Sequence, residues 1–104
     1  MKPQPIDLEH LSRQTMGDRG VAREVLDLFV QQAGRCLTEL GAGGEEGARK
    51  AVAHRLLGAA RGVGADGVAR AAQALEVRPA DADALATLRI AVAEAEEFIT
   101  GLGH

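Results

Sequence analysis

The segment 85–102, LATLRIAVAEAEEFITGL, carries the clearest structural signal in this chain. Its apolar residues recur at alternating intervals of three and four; they are Leu85, Leu88, Val92, Ala95, Ile99 and Leu102. This is the spacing of an α-helix that buries one stripe against nearly parallel neighbours. The segment therefore predicts the last helix of a bundle, with either Asp81 or Asp83 as its N-cap.

Four further helical segments precede this one. Their predicted bounds are 8–15, 19–40, 45–63 and 66–77, with Asp7 and Asp18 as N-caps of the first two and the glycine-rich stretch 41–44 as a loop. The second segment has its apolar stripe at Val21, Val25, Leu28, Phe29, Ala33, Cys36, Leu37 and Leu40, and the fourth has Val68, Ala72 and Leu75. We predict an all-α protein, an up-and-down four-helix bundle with a short N-terminal helix laid across it.

Length and composition narrow the classes of function. A chain of 104 residues corresponds to one domain, which we predict at residues 6–104 after an N-terminal tail at 1–5. The net charge of −3 argues against non-specific nucleic-acid binding. No apolar run is long enough for a membrane span and no secretory signal is visible, so we expect a cytoplasmic protein without membrane association. The single cysteine, Cys36, fits a reducing compartment and is expected to be buried.

The run Ala53-His54-Arg55-Leu56-Leu57-Gly58-Ala59-Ala60 places a histidine in the third helix. On a helical wheel, one side collects the apolar residues Val52, Leu56, Ala59 and Val63. His54 lies near the centre of the opposite side, where its neighbours are Gly47, Lys50, Ala51, Leu57, Gly58 and Arg61. We therefore expect the imidazole to face solvent or a partner.

Several chemistries fit this histidine poorly. A metal site needs converging ligands, and neither His10 nor His104 is close in sequence. A serine–histidine pair is not indicated, since Ser12 is the only serine. What remains is an exposed imidazole that acts on a group brought by another protein, because neutral imidazole is a nucleophile toward phosphorus near pH 7.

The surroundings of His54 suit a phosphoryl group. Between residues 47 and 65 there is no acidic residue, while Arg49, Lys50, Arg55 and Arg61 are basic. Gly58 leaves clearance one turn away, at a helix-propensity cost of up to about 1 kcal/mol. The same features are also compatible with an ordinary surface histidine, a glycine that permits close packing, and a solvated charged face.

The run also resembles the signature of histidine phosphotransfer (Hpt) domains, roughly Ala-His-x-Leu-Lys-Gly-Ser/Ala-Ala. The pair Gly64-Ala65 follows at the family's distance, and Val68-Ala69 and Ala74-Leu75-Glu76 match its next helix. Upstream, Phe29-Val30-Gln31-Gln32 is similar to the family's Phe-x-x-Gln stretch. The resemblance spans about residues 6–100.

This resemblance implies that His54 accepts a phosphoryl group from the aspartate of one receiver domain and passes it to another. It implies a phosphoryl carrier and not an autonomous kinase, without a cofactor of its own, because the partner receiver would supply Mg²⁺. The implied partners are response-regulator receivers and a hybrid or partner histidine kinase, and a monomer is expected. By the same resemblance, Gly58 gives the receiver clearance and Gln32 hydrogen-bonds near the imidazole or the phosphate.

One position departs from the family. The signature has Lys three residues after the histidine, where this chain has Leu57. Either Lys50 or Arg61 takes over the missing charge, or Leu57 enlarges an apolar docking patch with Ala51 and Gly58. Two alternatives therefore stay open beside the carrier: a degenerate docking module that binds a receiver or kinase without carrying phosphate, and a helical scaffold or dimerisation bundle.

Overall fold

The computed structural model describes residues 4–102, and they form five α-helices. The helices are α1 (Leu8–Gln14), α2 (Arg19–Gly41), α3 (Glu46–Val63), α4 (Asp66–Val77) and α5 (Ala82–Thr100). The predicted bounds of α1 to α4 hold to within one residue at every end. Residues 1–3 of the predicted tail, as well as His104, lie outside the described residues.

Three aspartates cap helices as their positions in the sequence suggested. The carboxylates of Asp7 and Asp18 accept from the amides of His10 and Val21, in the first turns of α1 and α2. Of the two candidates for α5, Asp81 is the N-cap, since its carboxylate accepts from the amides of Asp83 and Ala84. Each bond satisfies an amide that has no partner within its helix.

Helices α2 to α5 form a closed bundle. Each of them packs against the next along the chain, and α2 also contacts α5. The short connections make consecutive helices antiparallel, which gives the up-and-down order. Helix α1 lies against α2 and α3. The predicted fold, a four-helix bundle with a short N-terminal helix, is confirmed.

The core of α2 is narrower than the predicted stripe. Its buried residues are Leu26, Phe29, Ala33, Cys36 and Leu40, which are spaced by three and four throughout. Val21 and Leu28, both placed in the stripe from sequence, are instead exposed. Leu28 precedes Phe29 by one residue, so the two side chains diverge by about 100° and only one faces the core. Cys36 is fully buried, as expected.

The buried apolar stripe of α5 ends earlier than predicted. Leu88, Val92, Ala95 and Ile99 are buried, whereas Leu102 lies beyond the helix and is exposed. In α3, by contrast, the buried face is wider than a single stripe and comprises Ala53, Leu56, Leu57, Ala60 and Val63. The buried face of α3 is wider because this helix packs against both α2 and α4.

The turn between α3 and α4 consists of only two residues, Gly64 and Ala65. Gly64 has φ +77°, and the amide of Ala65 donates to the carbonyl of Ala60 at 2.8 Å, which is the pattern of a Schellman cap. The carbonyl of Gly64 accepts from the amide of Asp7 at 2.8 Å. A Cβ at Gly64 would lie 3.1 Å from the Asp7 carbonyl oxygen. Glycine is therefore required here both for its backbone conformation and for the close approach of the N-terminal segment.

At the end of the bundle opposite the α3–α4 turn, Arg49 connects α3 to two other parts of the chain by hydrogen bonds. From the first turn of α3, its Nη1 donates to the carbonyl of Leu40 in α2 at 2.7 Å. Its Nε donates to the carbonyl of Pro79, in the connection between α4 and α5, also at 2.7 Å. The side chain is half-buried. The Leu40 carbonyl lies in the last turn of α2, which has no amide four residues on within the helix, and it also accepts from the amide of Gly43.

Replacing Arg49 by methionine should therefore destabilise the bundle while it keeps the apolar stem. We expect a loss of about 1.5–3 kcal/mol in the free energy of unfolding, the usual range for hydrogen bonds to a charged donor. Urea denaturation of Arg49→Met and of Arg35→Met, an exposed arginine of α2, measures the difference. Equal stabilities for the two variants would show that Arg49 does not fasten these elements.

Candidate functional site

His54 lies on the outer side of α3 with its side chain 73% exposed. The two-residue turn folds α4 back along α3, so residues at equal distances from the turn come to lie side by side. Residue 54 is eleven positions before Ala65, and residue 76 is eleven positions after it. Each is thus about 16 Å from the turn along its own helix. This pairing brings Glu76 to the histidine.

Glu76 holds one nitrogen of the His54 ring. The Nδ1 atom lies 3.0 Å from both carboxylate oxygens, Oε1 and Oε2. Since a carboxylate only accepts hydrogen bonds, Nδ1 carries the proton in this contact. In the neutral ring the lone pair then belongs to Nε2, the outer nitrogen. The Glu76 side chain is only 22% exposed, so it is a well-packed anchor for an otherwise solvated ring.

A shallow groove of about 320 Å³ surrounds this pair. We call it the His54 groove; it is lined by Lys50, His54, Leu57 and Arg61 of α3 and by Gln73, Glu76 and Val77 of α4. Neither Lys50 nor Arg61 has an ion-pair partner among residues 4–102. Both cations are exposed. The groove thus combines a nucleophilic nitrogen with two unneutralised positive charges.

The alternative in which Leu57 enlarges an exposed apolar docking patch does not agree with the burial of this residue. Its side chain is only 5% exposed and forms an apolar wall of the His54 groove. The helical wheel placed Leu57 by its angle to His54 alone. It did not include α4, which covers this flank of α3. A partner that enters the groove can therefore contact only the edge of this side chain.

Two predicted site residues belong to a different surface. Gln32 and Arg55 line a larger groove of about 860 Å³, which runs along α2 and which we call the α2 groove. No hydrogen bond joins Gln32 to the imidazole in the part of the chain that the structure describes, while the expected contact with a phosphoryl group stays a prediction. Arg55 is paired with the Glu39 carboxylate, and its Nη2 lies 3.9 Å from the Cys36 sulfur. The Cys36 thiol, and then Glu39, raise the pKa of Arg55, which therefore stays charged.

The small residues on the exposed side of α3 leave the approach to His54 open. Ala51 and Gly58 are exposed, one turn before and one turn after the histidine. A Cβ added at Gly58 would meet no atom within 4 Å. Packing within the protein therefore does not explain the glycine, in contrast to Gly64. Its flexibility cost in mid-helix calls for another reason.

Other kinds of site are not found between residues 4 and 102. No three His, Cys, Asp or Glu side chains converge there as metal ligands would. Within the same range, no helix has both the length and the apolar character of a bilayer-spanning segment.

Reasoning from the single helix missed the residues that α4 contributes to the His54 groove, among which Glu76 contacts the ring. Glu76 lies 22 residues from His54, on another helix, and a helical wheel of α3 cannot show it. The signal was nevertheless present in the sequence. Gly64-Ala65 marks a short turn midway between the two residues, and in an antiparallel hairpin this places Glu76 beside His54.

The Glu76 contact can be tested on the isolated protein through the tautomer of His54. We expect ¹⁵N spectra of the wild type to show the proton on Nδ1, because the carboxylate accepts it. Glu76→Ala should remove this bias and shift the ring toward the Nε2–H form that histidine side chains prefer in water. Glu97→Ala, an exposed glutamate of α5, is the control. An unchanged tautomer in Glu76→Ala would contradict the assignment.

Comparison with known proteins agrees with this geometry. The model of the Hpt domain family matches residues 24–98, which comprise most of α2, all of α3 and α4, and most of α5. No curated protein and no solved structure gives a significant match. The chain belongs to the Hpt domain family, whose members are phosphoryl carriers of two-component signalling.

Proposed function

We propose that this protein relays a phosphoryl group between receiver-domain aspartates through Nε2 of His54. The observation that carries the proposal is the contact between Nδ1 and Glu76, which directs the second nitrogen and its lone pair to solvent. The nucleophile is rigidly oriented on one side and open to a partner on the other. Positioning of this kind is a major part of phosphoryl-transfer catalysis.

The transfer step follows from the ring's hydrogen bond. Nε2 attacks the phosphorus of an aspartyl phosphate, the N–P bond forms, and the P–O bond to the aspartate breaks with its electron pair left on the carboxylate. The ring becomes positively charged because Nδ1 keeps its proton. The carboxylate of Glu76, 3.0 Å from Nδ1, stabilises that charge as it develops. The reverse sequence returns the phosphoryl group to a second receiver.

The partner completes the chemistry under this proposal. A receiver domain contributes the aspartate and the Mg²⁺ that neutralises the phosphoryl oxygens. Lys50, Ala51, Leu57, Gly58 and Arg61, which surround His54 on α3, contact the phosphoryl group or the receiver. Arg55 and Gln32 line the α2 groove and, under this proposal, contact the receiver and not the phosphoryl group. A hybrid or partner histidine kinase is the source of the phosphate. A cytoplasmic monomer is the form in which we expect the carrier to act.

Leu57 favours a second candidate function. An apolar, buried side chain stands where the family signature has a cation that contacts phosphate. A docking module that binds a receiver or kinase without carrying phosphate would not need that cation. Such a module would still bind receivers, but His54 would remain unmodified.

The two functions differ in the fate of His54. We expect incubation with phosphorylated receiver domains and Mg²⁺ to add one phosphoryl group to the protein, as measured by intact mass in neutral buffer. His54→Gln should abolish the gain, because the amide is no nucleophile, whereas His10→Gln should keep it. Receiver binding without any gain of mass in the wild type would identify a docking module. A gain that survives in His54→Gln would refute the proposed acceptor.

Gly58 provides a test of the open approach to His54. Gly58→Ala should stabilise α3 by about 0.5–1 kcal/mol, because alanine is the better helix former and its Cβ meets nothing. It should nevertheless slow transfer from a receiver about 10–100-fold, since a methyl group one turn away displaces the incoming aspartyl phosphate. Gly62→Ala, at an exposed and equally open position of α3, is the matched control. Equal transfer rates for both variants would show that clearance at residue 58 is irrelevant.

A further inference from the structure

We infer that Lys50 and Arg61 together form the phosphoryl-binding cation pair of this protein, in place of the lysine that the family signature has at position 57. This inference rests on the proposed function and says which charges act on the phosphorylated form of His54. It also divides the basic residues of α3 into two that bind the phosphoryl group and two that make contacts within the protein.

The position one turn after His54 carries no cation in this chain. Leu57 is buried against α4 and lines the wall of the His54 groove. A lysine at that position would need to emerge past Gln73 and Val77 of α4, which line the same groove. The charge that a phosphoryl dianion requires must therefore come from other side chains.

Two of the four basic residues of α3 have partners outside the His54 groove. Arg49 donates to the carbonyls of Leu40 and Pro79. Arg55 is paired with Glu39 and lines the α2 groove. Only Lys50 and Arg61 both line the His54 groove and lack an ion-pair partner among the described residues.

Helix geometry brings both cations to the ring. Side chains on an α-helix lean toward its N-terminus, so the His54 ring extends over the turn that carries Lys50, four residues earlier. Arg61 is seven residues later on the same face and leans back toward His54. Gly58 lies between them and has no side chain to obstruct the guanidinium. The two cations thus flank the ring from opposite ends.

The remaining charge in the groove is the Glu76 carboxylate, which is engaged with Nδ1 on the inner side of the ring. A phosphoryl group on Nε2 would lie on the outer side. Two cations against one carboxylate leave the groove with a net positive charge toward that group. The assignment predicts that each cation favours the phosphoryl dianion over the monoanion.

The test uses phosphoramidate, a small donor that needs no receiver. Nε2 attacks its phosphorus, the P–N bond breaks, and ammonia leaves. The ³¹P chemical shift of the phosphohistidine is then followed from pH 9 downward, and the pH midpoint between the phosphoryl dianion and monoanion is determined. The proteins compared are the wild type, Lys50→Gln, Arg61→Gln and Arg55→Gln. We expect the midpoint to rise by about half a pH unit in each of the first two variants, the size expected for a unit charge about 6 Å away in solvent. Arg55→Gln should leave it unchanged.

Each other outcome decides against the inference. Midpoints that do not move in Lys50→Gln and Arg61→Gln would show that neither cation contacts the phosphoryl group. An equal rise of the midpoint in Arg55→Gln would show that all basic residues of α3 act on the phosphoryl group through a general electrostatic field, and that Lys50 and Arg61 do not form a specific pair. A wild-type protein that takes no phosphoryl group from phosphoramidate or from receivers would refute the proposed function and this inference with it. Normal loading with unshifted midpoints refutes this inference alone.

Discussion

The two-residue turn between α3 and α4 is the constraint on which the rest of the structure depends. Gly64 has the left-handed conformation, and the amide of Ala65 donates to the carbonyl of Ala60. This turn directs α4 back along α3. The register of this hairpin places Glu76, eleven residues after Ala65, beside His54, eleven residues before it. The Asp7 amide, bonded to the Gly64 carbonyl, also fastens the N-terminal segment to this turn.

This constraint produces both the core and the site. On the inner side, the wide buried faces of α3 and α4 pack together, which explains why Leu57 is buried while its neighbour Gly58 is exposed. At the outer edge of the same contact, Glu76 meets His54. The partly buried carboxylate orients a ring that has no other hydrogen-bond partner among residues 4–102. A reactive side chain can therefore stay exposed and still have a defined orientation, which a partner needs for in-line transfer.

Much of this architecture was accessible from the sequence, because local signals decided it. Aspartate caps, the glycine-rich stretch at 41–44 and the spacing of α5 predicted the helices and their order. The errors arose where a neighbouring helix decides burial. The spacing within α2 predicts Leu28 and Val21 in its apolar stripe, and the wheel of α3 predicts Leu57 on its exposed face, because each pattern contains one helix only. In the structure Leu28 and Val21 are exposed and Leu57 is buried.

In the site, too, the residues on a single helix could be predicted and the contacts between helices could not. His54, Lys50, Gly58 and Arg61 follow from the exposed face of a single helix, and the sequence placed them together. Glu76 depends on the register between two helices, and the ion pair of Arg55 with Glu39 depends on how α2 packs against α3. Gln32 was placed by family resemblance, and in this chain it lines the α2 groove instead of reaching the ring.

The position of the phosphoryl group on the ring tests this account most directly. If Glu76 keeps the proton on Nδ1, then phosphorylated His54 must carry its phosphorus on Nε2. Two-dimensional NMR that couples ³¹P to the ring nitrogens and carbons distinguishes the two isomers in neutral solution. We predict a single Nε2-phosphohistidine. A phosphoryl group on Nδ1, the nitrogen that the structure places against Glu76, would contradict the account.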